Sequence, residues 1–483
     1  MGVKKNFIFS SILTVSTYIF PLITFPYTSR VLGVEGIGVC NFVDSIIQYF
    51  TMFSMMGIGT IGVREIAKHK NNIIERSKVF SSLISINLLA TILASVVLIL
   101  CSILVPKLYE YKNMLWIGLA RIICNTMLVE WLYKGLEDFR YITLRSLIVR
   151  TLYVISVFIF VKDSQDYIVY FALTSGMVVI NAIINIVHSR TVVEFKLMYV
   201  SICKTYVKPF LVLGCYQLLT SMYISFNVTF LGFVSSDLEV GLYTTATKLF
   251  TIILSLFTAF TGVMLPRMSS LVSSGSIPEI KYYISKSIDA LSVFAFPIIV
   301  ICEVYAPTII NVIAGSGYEG SILPMRIITP LLLVIGIEQI LVIQILTPFK
   351  QDKAILVNSI IGAMLSIMLN MLLVRTYRNS TSSSLAWVAC EVAVMCSASF
   401  FVRKHININF PWMKFIWRLL FSIMLIFVLV GIKNIVNNEI ISLLIGSILT
   451  GLVYVNFERL LLKNSVVINL FSQIKGRWVR RFQ

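Results

Sequence analysis

The chain has 483 residues, of which 58% are hydrophobic and only 13% charged, with a mean hydropathy of +0.90. Soluble domains run nearer about 45–50% apolar and about 25% charged, so a water-soluble globular protein and a disordered tail are both excluded. The 40 Lys and Arg exceed the 22 Asp and Glu by enough to give a net charge of +18. In so apolar a chain that excess reads as basic loops lying against anionic lipid headgroups, not as a nucleic-acid surface.

Apolar runs fall at about 7–27, 37–59, 79–105, 113–133, 142–161, 167–188, 207–234, 241–265, 288–314, 327–348, 354–374, 382–402, 412–432 and 440–457. A helix needs about 20 such residues to cross the hydrocarbon. Lipid cannot satisfy open backbone groups, and the short alternating strands of a barrel are missing, so these runs predict an all-α polytopic membrane protein with about 14 transmembrane helices. The first run carries no A-x-A cleavage site and is expected to stay as a spanning helix. The loops are short, which leaves no room for a soluble catalytic domain.

Basic residues orient the chain. With the N-terminus cytoplasmic, 29 of the 40 gather at inner ends and loops, among them Lys4, Lys5, Arg64, Lys68, Lys204 and the tail residues Lys475, Arg477, Arg480 and Arg481. Eight lie on the opposite side, and Arg121, Arg150 and Lys248 fall inside spans. This asymmetry, with an even span count, predicts that both termini are cytoplasmic.

The chain also repeats. Leu32-Gly33 precedes Gly36-Ile37-Gly38, and Leu231-Gly232 precedes Gly241-Leu242-Tyr243; 26 residues separate Gly38 from Arg64, and 26 separate Gly241 from Arg267. Spans 1–6 and 7–12 then run in the same direction, as in transporters built from two parallel halves. The expected domains are a six-helix bundle at 1–190, a second at 191–405, and two extra helices with a basic tail at 406–483.

Charges at membrane depth cost about 2.5–3.5 kcal/mol each on insertion scales, so each needs a reason. Asp44, Arg121, Glu130, Arg150, Lys248, Glu303, Glu338 and Glu391 form the inventory. Glu130 lies near a span end and can snorkel. Nine residues separate it from Arg121, which puts the two on opposite faces of an unbroken helix. Arg121 pairs with an acid on another helix in one reading and lines a cavity in the other. Asp44 and Lys248 follow Gly38 and Gly241 by six and seven residues, so a salt bridge between them across a cleft is one expectation, and pairing of each within its own bundle is the other. Pro21 and Pro26 precede Arg30 and mark a bend that can serve as a hinge. A guanidinium there suits bidentate contact with phosphate, or else anchors the helix at the interface. The three histidines (His69, His188 and His405) are far apart, and the eight cysteines show no CxxC spacing, so no metal site and no cofactor are expected. No GxxxxGK[ST] loop supports drive by ATP.

Phe25-Pro26-Tyr27-Thr28-Ser29-Arg30-Val31-Leu32-Gly33, then Gly36-Ile37-Gly38, resembles the opening of bacterial polysaccharide exporters, the Wzx-type O-antigen and capsule repeat-unit flippases of the multidrug/oligosaccharidyl-lipid/polysaccharide exporter superfamily. Gly62-Val63-Arg64-Glu65-Ile66-Ala67-Lys68, the stretch Trp131 to Glu137, Gly241-Leu242-Tyr243 with Ala246 and Lys248, and Pro266-Arg267-Met268-Ser269 fit the same family in order. The resemblance implies two six-helix bundles around a cavity lined by spans 1, 2, 7 and 8, in a bacterial cytoplasmic (inner) membrane. It implies as substrate an undecaprenyl-pyrophosphate-linked oligosaccharide, carried from the inner to the outer leaflet by alternating access. Arg30, Arg121, Arg150 and Lys248 are the candidate cations for the pyrophosphate. Asp44, Glu338 and Glu391 are the candidates for coupling to H+ or Na+ or for gating. Membrane lipids, a polysaccharide polymerase and a chain-length regulator are the other partners implied. A multidrug or cation exporter of the same superfamily is the first alternative, and a membrane polymerase or acyltransferase the second; a lipid II flippase is a close variant.

Overall fold

The computed structural model describes residues 3–194, 200–408, 410–464 and 466–468, so the basic tail read from the sequence lies outside the described residues. The described chain is helical throughout and carries no strand. Each of the fourteen apolar runs is helical. Twelve helices are long and apolar enough to cross a membrane, one of them the 61-residue stretch Ile8–Lys68 that holds the first two runs.

Contacts group the chain into two units, Met1–Thr244 with Val374–Asn379, and Thr245–Leu373 with Ser380–Gln483. The first unit contains α1 (Val3–Met55), α2 (Ile58–Lys68), α3 (Ile73–Leu104), α4 (Lys112–Asn125), α5 (Glu130–Gly135), α6 (Phe139–Phe160), α7 (Tyr167–Ser189), α8 (Val200–Ile224), α9 (Phe226–Val234) and the start of α10 (Asp237–Ser273). The second contains the rest of α10, then α11 (Ile277–Ile313), α12 (Ile322–Ile328), α13 (Leu331–Leu341), α14 (Asp352–Leu369), α15 (Ser380–Arg403), α16 (Trp412–Ile435) and α17 (Glu439–Leu460).

The helices are amphipathic in the inverted sense that lipid demands. On α3, Leu89, Leu93, Val96, Leu100 and Ile103 are exposed at three- and four-residue spacing, while Ser81, Ser82, Asn87, Thr91 and Ser95 are buried. Lipid offers no hydrophobic drive for helix pairing, so small and hydroxylated side chains form the inner faces. Thr91 shares a 2.7 Å hydrogen bond with Thr126, and Asn87 Nδ2 donates to the Ser54 carbonyl at 3.1 Å. Caps set the helix starts: Asn72 accepts from Glu75 N on α3, Asp138 from Tyr141 N on α6, and Asn438 from Ile440 N and Ile441 N on α17. Outside the spans, Lys70 Nζ donates to Glu137 at 2.8 Å and the ammonium holds that carboxyl below its ordinary range.

α1 makes two passes. Its helix continues through Pro21 and Pro26, and the break falls at Gly33, where φ is 69° and ψ 178°. Only glycine takes that conformation cheaply, so Gly33→Ala is expected to cost about 1 kcal/mol, read as a lower unfolding midpoint of the purified protein in detergent. The fourth run is also interrupted: α4 ends at Asn125, a short turn follows, and α5 starts after Val129 in the left-handed region at φ 35°. The angle counted between Arg121 and Glu130 assumed an unbroken helix, so it does not describe this span. Two π-helical segments, Val342–Leu346 and Asn370–Val374, interrupt the fold of the second unit.

Candidate functional site

In the first unit the charges at mid-span depth come from α1, α4 and α6. Asp44 lies on the second arm of α1, and Arg121 Nη1 reaches its Oδ1 from α4 as an ion pair. The two side chains keep 39% and 20% of their surface. A charged pair that stays accessible at this depth faces a watered space, because lipid would not solvate it. Of the two readings of Arg121, the pairing with an acid on another helix is present. Asp44 takes this partner from its own bundle.

Arg150 on α6 binds the first arm of α1, through Ser16 Oγ and, at 3.4 Å, the Leu13 carbonyl. Arg30 is exposed near the Gly33 end of that arm and donates from Nη1 to the Pro26 carbonyl at 2.7 Å. The second arm is also tied to α8 and α9. Tyr49 donates to the Ser221 carbonyl at 3.4 Å, Thr229 Oγ1 to Ser45 Oγ at 2.9 Å, and Gly57 N to Gln217 Oε1 at 3.1 Å. Four guanidinium or carboxylate side chains, on α1, α4 and α6, thus sit in one unit with helices from runs 1, 2, 4, 5 and 7 around them.

The second unit holds the other candidates. Lys248 is half-buried on α10, where Thr251 Oγ1 donates to its carbonyl at 3.0 Å. Glu391 is buried on α15 and accepts from Trp387 Nε1 at 2.9 Å, while Trp387 stands edge-on to Phe250. Glu338 is half-buried on α13, a helix that packs against α15. The neighbouring Gln339 ties α13 to α10: it donates to Thr258 Oγ1 at 3.0 Å and accepts from Thr261 Oγ1 at 3.2 Å. Among the described residues no cluster of three or more His, Cys, Asp or Glu side chains offers a metal site.

Sequence reasoning missed a second class of charges. Arg418 on α16 is fully buried against Glu458 of α17 and Asp289 of α11. Arg145 on α6 is buried against Glu130 at 2.9 Å, with Lys134 at 3.4 Å from the same carboxylate. Both arginines lie near the ends of apolar runs, where a basic residue is ordinarily a solvated anchor. The available signal was Arg418 itself, which falls inside the 412–432 run with acids at the ends of two others.

Comparison with known proteins places these features in a family. A family described as "Polysaccharide biosynthesis protein" matches residues 3–272, more than half of the chain. A protein of Escherichia coli (strain K12) described as "Putative O-antigen transporter" is 24% identical over 408 residues, covering 84% of this chain and 98% of that one. A Shigella dysenteriae protein of the same description is 25% identical over 376 residues, covering 76% and 91%. Among solved structures, the lipid II flippase MurJ in an inward closed conformation superposes with a TM-score of 0.74 at 15% identity, covering 94% of this chain and 99% of that one. An inward-facing multidrug resistance MATE family transporter of the MOP superfamily gives a TM-score of 0.60 at 12% identity, covering 79% and 92%. At such identities these likenesses establish a shared all-helical transporter fold.

Proposed function

Because this chain belongs to the polysaccharide biosynthesis protein family, we propose that it is a flippase, not an enzyme, which moves a lipid-linked oligosaccharide across the bacterial cytoplasmic membrane. The substrate is an undecaprenyl-pyrophosphate carrying one oligosaccharide repeat unit of an O-antigen, capsule or similar glycan. Both termini face the cytoplasm, which makes the Gly33 end of the first unit the outer one. The observation that carries the reading is the accessible Asp44–Arg121 pair at mid-span depth in a chain of this family. A pyrophosphate leaves water only if cations and hydrogen bonds replace its hydration. Arg30, Arg121, Arg150 and Lys248 supply them in turn, while the polyprenyl tail stays in lipid. The bundles at 1–190 and 191–405 rock against one another, with Pro21 and Pro26 as hinge points of the first arm, and the helices in 406–483 attend the lipid tail.

Coupling to H+ or Na+ is assigned to Glu338 and Glu391, and Asp44 acts as the gating acid that releases Arg121 to the substrate. A polysaccharide polymerase and a chain-length regulator would receive the product. Among the drug-exporter alternatives, an acidic cavity would be favoured, whereas Arg121 and Arg150 put two of the deep charges of the first unit on the positive side.

The test is made on a strain lacking this protein. Extracted lipid intermediates are expected to contain a complete undecaprenyl-pyrophosphate repeat unit, accumulated on the cytoplasmic leaflet. Accumulation on the outer leaflet would point to a polymerase. No accumulation with surface polysaccharide intact would move the assignment to a small-molecule exporter. In the complemented strain, Arg30→Ala and Lys248→Ala are each expected to lower surface polysaccharide about tenfold at unchanged membrane abundance, the scale of one lost charged hydrogen bond. Full activity in both variants would overturn the cationic-cavity assignment.

A further inference from the structure

Gly38 and Gly241 occupy matching positions in the sequence repeat, and in the first unit their helices touch there. A Cβ on Gly38 would lie 1.8 Å from the Asp237 carbonyl oxygen and 3.0 Å from the Gly241 nitrogen. On Gly241 it would lie 2.1 Å from the Val34 carbonyl oxygen. The second arm of α1 and the start of α10 therefore meet backbone to backbone, with no room for a side chain between them. A polar bond holds the start of α10 to the turn before α4: Tyr111 Oη donates to Asp237 Oδ2 at 2.7 Å. Phe42 packs edge-on against Tyr111 and Phe233, at 5.4 Å in each case.

Polar, accessible space lies on both sides of this seal. Toward the Gly33 end is a cavity of about 580 Å³ whose lining includes Glu35, Lys107, Glu110, Gln165 and Asp237. Asp237 thus lines the cavity and meets the Gly38 position with its carbonyl oxygen. Toward the membrane centre, six residues beyond Gly38 on the same helix, is the accessible Asp44–Arg121 pair. At about 1.5 Å per residue, Glu35 and Asp44 are about 13 Å apart along the axis, less than half of the about 30 Å of hydrocarbon. A barrier that thin, built on a close backbone contact between two polar spaces, has the build of a gate.

We propose that the Gly38–Gly241 contact, latched by Tyr111 on Asp237, is the outer gate of the transport pathway, and that α10 parts from the second arm of α1 here in each cycle. This rests on the transport reading and assigns it specific moving parts. Glycine at both positions lets the gate close without a side chain to clear. The latch bond lies at a helix start, on the first residue of α10.

The experiment uses the full chain in intact cells stripped of outer wall, with a reporter cysteine at Asn41, half-buried between the seal and Asp44. Labelling by a membrane-impermeant maleimide is compared with the same background lacking the reporter. Gly38→Leu, which cannot re-form the contact, is expected to raise reporter labelling at least fivefold. Tyr111→Phe, which removes only the latch bond and keeps the ring packing, is expected to raise it two- to threefold. Gly176→Leu is the control, since a Cβ there meets nothing within 4 Å. A rise in either variant above that control supports the gate. Labelling that stays flat in both at normal abundance, or that rises equally in the control, overturns it. The readout needs no substrate, so it is independent of the lipid-intermediate assay: a responsive gate without accumulated intermediate would condemn the flippase assignment alone.

Discussion

Replacing Arg418 by alanine is expected to cost about 3–5 kcal/mol and to deplete the folded protein from the membrane, the typical result of removing one partner from a buried ion network. Arg418 and Glu458 have no exposed side-chain surface. The guanidinium grips Glu458 with two bonds, 2.7 Å from Nε and 3.0 Å from Nη2, and gives a third, at 2.8 Å, to Asp289. Asn464 Nδ2 completes Glu458 at 2.7 Å, and Lys414 stands 3.8 Å from Asp289. Without Arg418, two carboxylates remain in a place where water cannot follow them. Three helices would lose their common fastener: α11, α16 and α17 otherwise meet through apolar packing around Phe296, Val300, Tyr305, Leu425, Leu429 and Tyr454, with Tyr305–Ser442 and Thr308–Glu439 hydrogen bonds between α11 and α17. Removing the acid as well tests the cause. Arg418→Met with Glu458→Met should recover much of the loss, because the strongest uncompensated charge goes with it. Thermal unfolding of the purified parent protein and the two variants in detergent measures both steps. A double variant no better than Arg418→Ala would mean that packing, not charge, sets the cost.

That network also shows where sequence reading runs out. The spans were legible because hydropathy is additive along the chain and lipid leaves helices as the one continuous solution for such runs. Depth was legible for the same reason, and it picked out Asp44, Arg121, Arg150, Lys248, Glu338 and Glu391. Facing was not. A stripe of small and hydroxylated residues such as that on α3 marks an inner face but not which helix it meets, so the partner of a deep charge is decided by packing. From the sequence Asp44 could pair with Lys248 across a cleft or with a partner in its own bundle, and only the fold supplies that partner as Arg121. Breaks were unevenly legible. Gly33 sits where a glycine break belongs, between two long runs, but Val129 is a β-branched residue in a left-handed conformation and carries no signature at all. The π-helical turns at Val342–Leu346 and Asn370–Val374 are equally silent, since they arise from how neighbouring helices seat and not from local preference. The matched glycines were legible as a repeat, but not as two surfaces that touch.

Arg121→Ala is expected to leave the protein folded and to lower transport tenfold to a hundredfold, the opposite balance from Arg418. Both side chains of the Asp44–Arg121 pair reach water, so the loss of the ion pair itself costs stability only about 1 kcal/mol. On the proposed reading, what the substitution removes is a planar donor at mid-depth, able to leave Asp44 for a pyrophosphate that offers more acceptors and more charge. Arg121→Lys keeps the charge and the attraction to Asp44 but loses the two-pronged geometry, so it should keep abundance and recover only part of transport. The exchanged pair, Asp44→Arg with Arg121→Asp, separates the two roles of the bridge. A bridge that merely holds α1 to α4 is indifferent to which helix carries the cation, and the exchange would then restore transport along with abundance. A bridge that hands its arginine to substrate depends on where that arginine stands, so the exchange is expected to restore abundance and leave transport low. Surface polysaccharide per unit of membrane protein, measured for the single and exchanged variants side by side, decides between them.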